Sequence, residues 1–287
     1  MTSVDAVDIP LQQMPLDAYA QVQTAVGARV ERVGGVYWNR VRRIFCRPLL
    51  PHEELPANVA EERRSGCAGF QYVVADPQAA NSAMGFIVLE REPDYSLEAV
   101  SHNRRRLIKS AAKKMEVRPI RDLPELQTQG YAAYAAFYRR TRYEYLAARR
   151  REVNFRHWAT AQLQDPRATV LGAYWDGRLA AVSVAFWVRD TLLYATHFSG
   201  VEALRQGASE LLLHALRAAV ARTPGIAQIL VRRYQGGNGM DQYYLMRGAK
   251  LVHKPARLQL EPLVRLGLRI CRPRQYALLQ GPHKPRT

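Results

Sequence analysis

Apolar and polar positions change rhythm along the chain, most regularly after Glu116. Residues 169–175, 178–188 and 191–198 are short apolar runs rich in β-branched and aromatic side chains. Asp176-Gly177, a strong two-residue hairpin signal, joins the first pair and Arg189-Asp190 the second. A helix follows to Arg222, opening on Arg205-Gln206-Gly207-Ala208-Ser209-Glu210 and carrying Leu211, Leu212 and Leu213. A strand is predicted over 226–231, a glycine-containing loop over 232–239, a short helix to Arg247 and a closing strand over 251–260. Upstream, residues 116–121 read as a short strand and 123–148 as a long helix. A second helix from Asn154, read as its cap, ends at Asp165-Pro166. The order β-α-α-β-β-β-α-β-α-β mixes hairpin and crossover connections, so the sheet should be mixed.

The first part is less regular. Residues 1–29 form a weakly ordered or helical leader, and 37–51 a strand-like segment holding Arg40, Arg42, Arg43 and Arg47. Residues 53–69 form a charged connector. The apolar runs 70–74 and 84–89 read as a hairpin with a longer loop. Residues 96–114 read as a helix capped by Ser96, with Leu97, Val100, Leu107, Ile108, Ala111 and Met115 as its apolar stripe.

Charge changes this picture. The net charge of +17 is concentrated in two segments. Residues 101–151 hold 14 Lys/Arg against 4 Asp/Glu, and 247–287 hold 10 against 1, so the rest of the chain is nearly neutral. Such segments attract polyanions such as tRNA, anionic lipid headgroups or a phosphorylated carrier. A merely solubilising face is the plain alternative. Cys46, Cys67 and Cys271 are few and far apart, which predicts free thiols in a reducing cytoplasm and no structural zinc site. No apolar run is long enough for a membrane span, and the N-terminus lacks a basic leader. The expected location is cytoplasmic, with contact at the inner face of the membrane as an option. The tail around Leu263, Leu266 and Ile270, with Arg265, Arg269, Arg272, Arg274 and Tyr276, reads either as a helix lying on an anionic membrane or as a packed helix with snorkelling arginines.

The candidate chemistry lies between Thr191 and Val252. A glycine at the mouth of a helix exposes backbone N–H groups to an incoming anion. His197, at the end of the third run, is a candidate general base, or else a strand histidine facing solvent or core. Tyr244 can supply a proton to a leaving group, or pack as an ordinary helix aromatic. Glu210 and Asp241, early in their helices, read as serving the helix N-termini. No metal-ligand spacing appears.

These residues resemble the GNAT acyltransferase superfamily, and within it the FemAB-type branch of peptidyl and acyl transferases. The likeness covers Glu116 to Leu260, and the basic helix from Ser101 to Lys109 also resembles that branch. Gly207 aligns with the first glycine of the family's Arg/Gln-x-x-Gly-x-Gly/Ala motif, where Leu204 stands at the Arg/Gln position. Asn238, Tyr244 and Gly248 fit the later Asn…Tyr-x-x-x-Gly element.

The resemblance implies an α/β fold: a GNAT-like mixed sheet flanked by helices over 115–262, a smaller N-terminal α+β lobe over 1–114 and a basic tail over 263–287. It implies direct attack of an amine on a carrier-bound acyl group. Tyr244 and His197 would be catalytic, and Arg205, Gln206, Gly207, Ala208, Ser209 and Asn238 would hold the donor. Acyl-CoA is the first donor expected as co-substrate, with no permanently bound cofactor. The incomplete glycine motif leaves room for an acyl-carrier protein or an aminoacyl-tRNA, the latter held by Arg104, Arg105, Lys109 and Lys113. A non-catalytic lobe binding membrane or nucleic acid is the remaining reading.

Overall fold

The computed structural model describes residues 8–41, 44–59, 67–141 and 144–281. The start of the leader, Arg42 and Arg43, part of the charged connector and the last six residues of the tail lie outside them. In chain order the elements are α1 (Leu16–Ala25), β1 (Val30–Val33), β2 (Val36–Val41), β3 (Phe45–Pro48), β4 (Glu54–Leu55), β5 (Gly69–Val74) and β6 (Ser82–Glu90). Then come α2 (His102–Ala112), β7 (Met115–Pro119), α3 (Leu123–Glu125), α4 (Tyr131–Thr141), α5 (Glu152–Leu163), β8 (Thr169–Trp175), β9 (Arg178–Val188) and β10 (Thr191–Ser199). The chain continues through α6 (Val201–Arg205), α7 (Ala208–Arg222), β11 (Gln228–Arg233), α8 (Gly239–Leu245), β12 (Lys250–Leu260), α9 (Pro262–Cys271) and α10 (Pro273–Gln280).

These elements form two units, each discontinuous in sequence. One holds the residues up to Val26 with Glu90–Leu230, the other Gly27–Leu89 with the residues from Val231 onward. The sequential division at 114 and 262 does not coincide with them, because β12 pairs with the early strands β5 and β6.

In the first unit β7, β8, β9 and β10 form an antiparallel meander, and Gln228–Leu230 of β11 run parallel to β10. Asp176 and Gly177 both take positive φ, the geometry of a tight hairpin turn. Between β10 and β11 the chain crosses over through α7, whose side chains from Ala208 to Leu216 are all buried. Tyr134, Phe155, Trp158 and Phe198 form an aromatic core with ring centroids 5.1–6.0 Å apart.

The second unit orders its strands β1-β2-β3-β5-β12-β6, with β4 beside β5. Pairing is antiparallel except at β3/β5 and β4/β5, which are parallel, so the sheet is mixed, as in the first unit. The apolar runs 70–74 and 84–89 are therefore not a hairpin. β12 lies between them, a pairing across more than 160 residues that local pattern cannot reveal. Trp38 packs edge-on against Phe70 and Tyr72, each with centroids 5.9 Å apart. Beside them Cys46 and Cys67 are joined in a disulfide, Cα–Cα 6.3 Å, which corrects the expectation of free thiols. β3 and β5 bring the two together, whereas their 21-residue separation carries no recognisable spacing. Cys271 is free and exposed.

Two helix starts also differ from expectation. Leu97–Ala99 is only a 3-10 turn, and α2 begins after Ser101. The Arg105 guanidinium folds back onto the Glu98 carboxylate and the carbonyls of Glu98 and Val100, satisfying the earlier turn without a helix. Asn154 does not cap α5, which starts at Glu152; its Nδ2 donates to the Ala148 carbonyl at 2.8 Å. The long helix predicted over 123–148 is interrupted by a π turn, Leu126–Gly130, and followed by a 3-10 turn, Glu144–Arg150.

Candidate functional site

A two-residue turn that pairs Val188 with Thr191 would set His197 opposite Val182. A bulge at Ala195 shifts the register by one, so His197 lies across from Ser183. His197 Nδ1 is 2.8 Å from Ser183 Oγ, and Nε2 is 2.7 Å from Ser209 Oγ in the first turn of α7. Ser183 Oγ is in turn 3.0 Å from Tyr194 Oη. A chain of hydrogen-bonding groups thus runs from β10 through β9 to the mouth of α7. Ser183 and Tyr194 were not among the expected site residues, because only the bulged register brings them in. Burial, with the charge of Arg140 adding to it, pushes the His197 pKa down to about 4. The ring is therefore neutral near pH 7 and a weak base, held at both nitrogens.

Gly207 takes φ +87, which L side chains rarely adopt, and its carbonyl accepts from Leu211 N at 3.0 Å to start α7. Its N–H is spent on the Leu204 carbonyl at 3.1 Å. A Cβ at this position would lie 2.9 Å from Leu107 Cγ and 3.4 Å from Ala111 Cβ, both on α2. The glycine thus serves a left-handed turn and the close approach of α2. Ala208, Ser209 and Glu210 are buried behind it. Gln206 Oε1 accepts from Lys114 Nζ at 2.6 Å, and Arg205 pairs with Glu202 on the surface at 2.8 Å.

A groove of about 470 Å³ runs along α2, lined by His102, Arg105, Arg106, Lys109, Ser110 and Lys113. Arg105 and Lys109 share the Glu98 carboxylate, whereas Arg106 and Lys113 form no ion pair among the described residues. Arg104 donates to Ser101 Oγ at 3.0 Å.

Tyr244, Asn238 and Asp241 belong to the second unit. Asn238 caps α8, its Oδ1 accepting from Asp241 N at 3.0 Å. Asp241 does more than serve that helix. Fully buried, its Oδ2 accepts from the backbone N–H of Gln235 and of Gly237, both at 3.0 Å, and its Oδ1 is 3.5 Å from Arg232 Nε. It therefore pins the glycine loop, a role invisible without the loop's path. Tyr244 is 5% exposed and packs edge-on against Tyr243, whose ring carries the Arg247 guanidinium at 3.3 Å.

Among the described residues no three His, Cys, Asp or Glu side chains gather as metal ligands, and no helix is long and apolar enough to cross a membrane.

No family model matches the chain, and no curated protein matches it. Three solved structures resemble it over most of both chains. The C-terminal domain of a candidate lysylphosphatidylglycerol synthetase from Agrobacterium fabrum has a TM-score of 0.59 at 10% identity, covering 91% of each chain. FemX has a TM-score of 0.59 at 10% identity, covering 92% of this chain and 96% of its own. L-PGS from Bacillus licheniformis has a TM-score of 0.56 at 9% identity, covering 95% and 99%. The chain shares the overall fold of these three structures.

Proposed function

We propose that this chain is a transferase of acyl or aminoacyl groups, and that its donor is an aminoacyl-tRNA. The observation that carries the choice of donor is the closed glycine turn. Leu107 and Ala111 pack against the Cα of Gly207, and its N–H is already donated to the Leu204 carbonyl at 3.1 Å, so this glycine does not offer that N–H to a carrier's pyrophosphate. The opposite resource is open, since the α2 groove presents Arg106 and Lys113, which have no carboxylate partner among the described residues. A row of cations suits a phosphate backbone, whose binding is dominated by such contacts.

The reaction in this reading needs little covalent help. A neutral amine attacks the ester carbonyl, the C–N bond forms, the C–O bond to the ribose breaks, the nitrogen sheds a proton to restore the group that protonates the leaving oxygen, and the ribose oxygen takes that group's proton. Tyr244 Oη is the proposed donor of that proton. His197, with its low pKa and two serine partners, is assigned to orienting Ser209 and the first turn of α7 rather than to taking the amine proton. Transfer from acyl-CoA to an amine is the second reading, favoured by the spacing of Asn238, Tyr244 and Gly248.

Two transfer assays in parallel test this. Radiolabelled aminoacyl-tRNA and radiolabelled acetyl-CoA are each offered with the same pool of amines and extracted lipids. Protein-dependent movement of label from the tRNA alone is expected. Movement from acetyl-CoA alone would select the second reading and overturn the first.

A further inference from the structure

α9 has two apolar faces, and the core uses only one. Val264 and Leu268 pack inward against Leu258, Leu260 and Leu279 of the second unit. Leu263, Leu266 and Ile270, spaced three and four apart, share another face. They are 83%, 55% and 68% exposed, which makes them a ridge of large aliphatic side chains in water. Arg265 and Arg269, four apart on α9, lie along the flank of that ridge, with Arg272 at the C-terminal end of the helix and Arg274 just beyond. All four are exposed, and none forms an ion pair among the described residues. From Pro262 to Gln280 there is no acidic residue.

We propose that α9 docks on an anionic lipid bilayer, with Leu263, Leu266 and Ile270 entering the boundary between headgroups and acyl chains and Arg265, Arg269 and Arg272 meeting lipid phosphates. The charge decides between occupants. A second copy of this chain would bring its own arginines to the contact, and like charges would face each other. A bilayer supplies both the apolar depth that three aliphatic side chains need and the phosphates that the arginines lack. Docking holds the helix in the membrane plane and inserts no span. The inference is independent of the donor and holds for either transfer reading, although it places the protein where a membrane-borne acceptor would be within reach.

Co-flotation of the full chain with vesicles tests it, using phosphatidylcholine alone and phosphatidylcholine mixed with phosphatidylglycerol. The wild type should float with the mixed vesicles and far less with the neutral ones. The triple variant Leu263→Glu, Leu266→Glu, Ile270→Glu should lose about tenfold or more of its partitioning. Arg265→Ala, Arg269→Ala should weaken it and reduce its salt dependence. Because the ridge is exposed, the α9 variants should keep the wild-type melting temperature, checked by circular dichroism. Arg106→Glu, Lys109→Glu on α2 is the control and should float normally. The proposal is overturned if the triple variant floats like the wild type, if flotation is lost only in the α2 variant, or if the wild type does not float at all. It is equally overturned if light scattering shows a wild-type dimer that the triple variant turns into a monomer without a change in flotation.

Discussion

Leu107 on α2 fills the place where a side chain at Gly207 would begin, with its Cγ 2.9 Å from an ideal Cβ on that glycine. The left-handed turn and the helix contact therefore depend on one residue type. Gly207→Ala should destabilise the protein by about 2–4 kcal/mol, combining backbone strain with overpacking. Adding Leu107→Ala should return only the packing share, because φ +87 is a property of the turn. Urea denaturation of the two single variants and the double variant measures both parts, and additive losses would show that the contact does not matter.

His197 gives the protein a pH dependence of defined sign. Its pKa falls from the ordinary 6.5 to about 4 on folding, so the unfolded chain binds the proton more readily. Stability from the neutral ring is complete above pH 6.5 and is lost as pH falls from 6.5 toward 4, by about 3 kcal/mol at most. His197→Gln should flatten that part of the stability profile. An NMR titration of the imidazole with a midpoint near 6.5 would contradict the assignment.

Asp241 should matter more for its loop than for its helix. Asp241→Ala leaves Arg232 without its carboxylate and two backbone N–H groups without an acceptor, a loss of about 3–5 kcal/mol. In hydrogen exchange the amides of Gln235 and Gly237 should be protected in the wild type. In the milder Asp241→Asn variant they should exchange much faster, while the amides of α8 change little. Uniform loosening of α8 instead would point to a plain capping role.

Much of this architecture is legible in the chain, and the failures share a cause. Asp176-Gly177 marks the β8–β9 turn, and the Leu211–Leu213 run marks α7, because turn chemistry and helical periodicity are local signals. The β5–β12–β6 pairing, the Cys46–Cys67 bond and the meeting of Gly207 with Leu107 depend on contacts between distant segments. The site was half legible for the same reason. His197 and Tyr244 stand out as residue types, but Ser183 joins His197 only through a bulge that no residue of β10 announces.

The disulfide predicts a thiol count. Without reductant, labelling of the unfolded protein should find one reactive thiol, Cys271, and with reductant three. Reduction should cost about 3 kcal/mol, the loop-closure value for a cross-link of this span. Three thiols in the untreated protein would return Cys46 and Cys67 to the free state expected from their spacing.

The central claim is that the donor is held by its phosphates on α2 rather than at the glycine turn. Its most direct test is the affinity for tRNA across a salt series, for the wild type and for Arg106→Ala, Lys113→Ala, with CoA as competitor. Binding should weaken steeply with salt in the wild type. The double variant should lower the log–log slope by about two, one for each lost phosphate contact, and CoA should not compete. An unchanged slope in the variant, or displacement of tRNA by CoA at micromolar concentration, would contradict it.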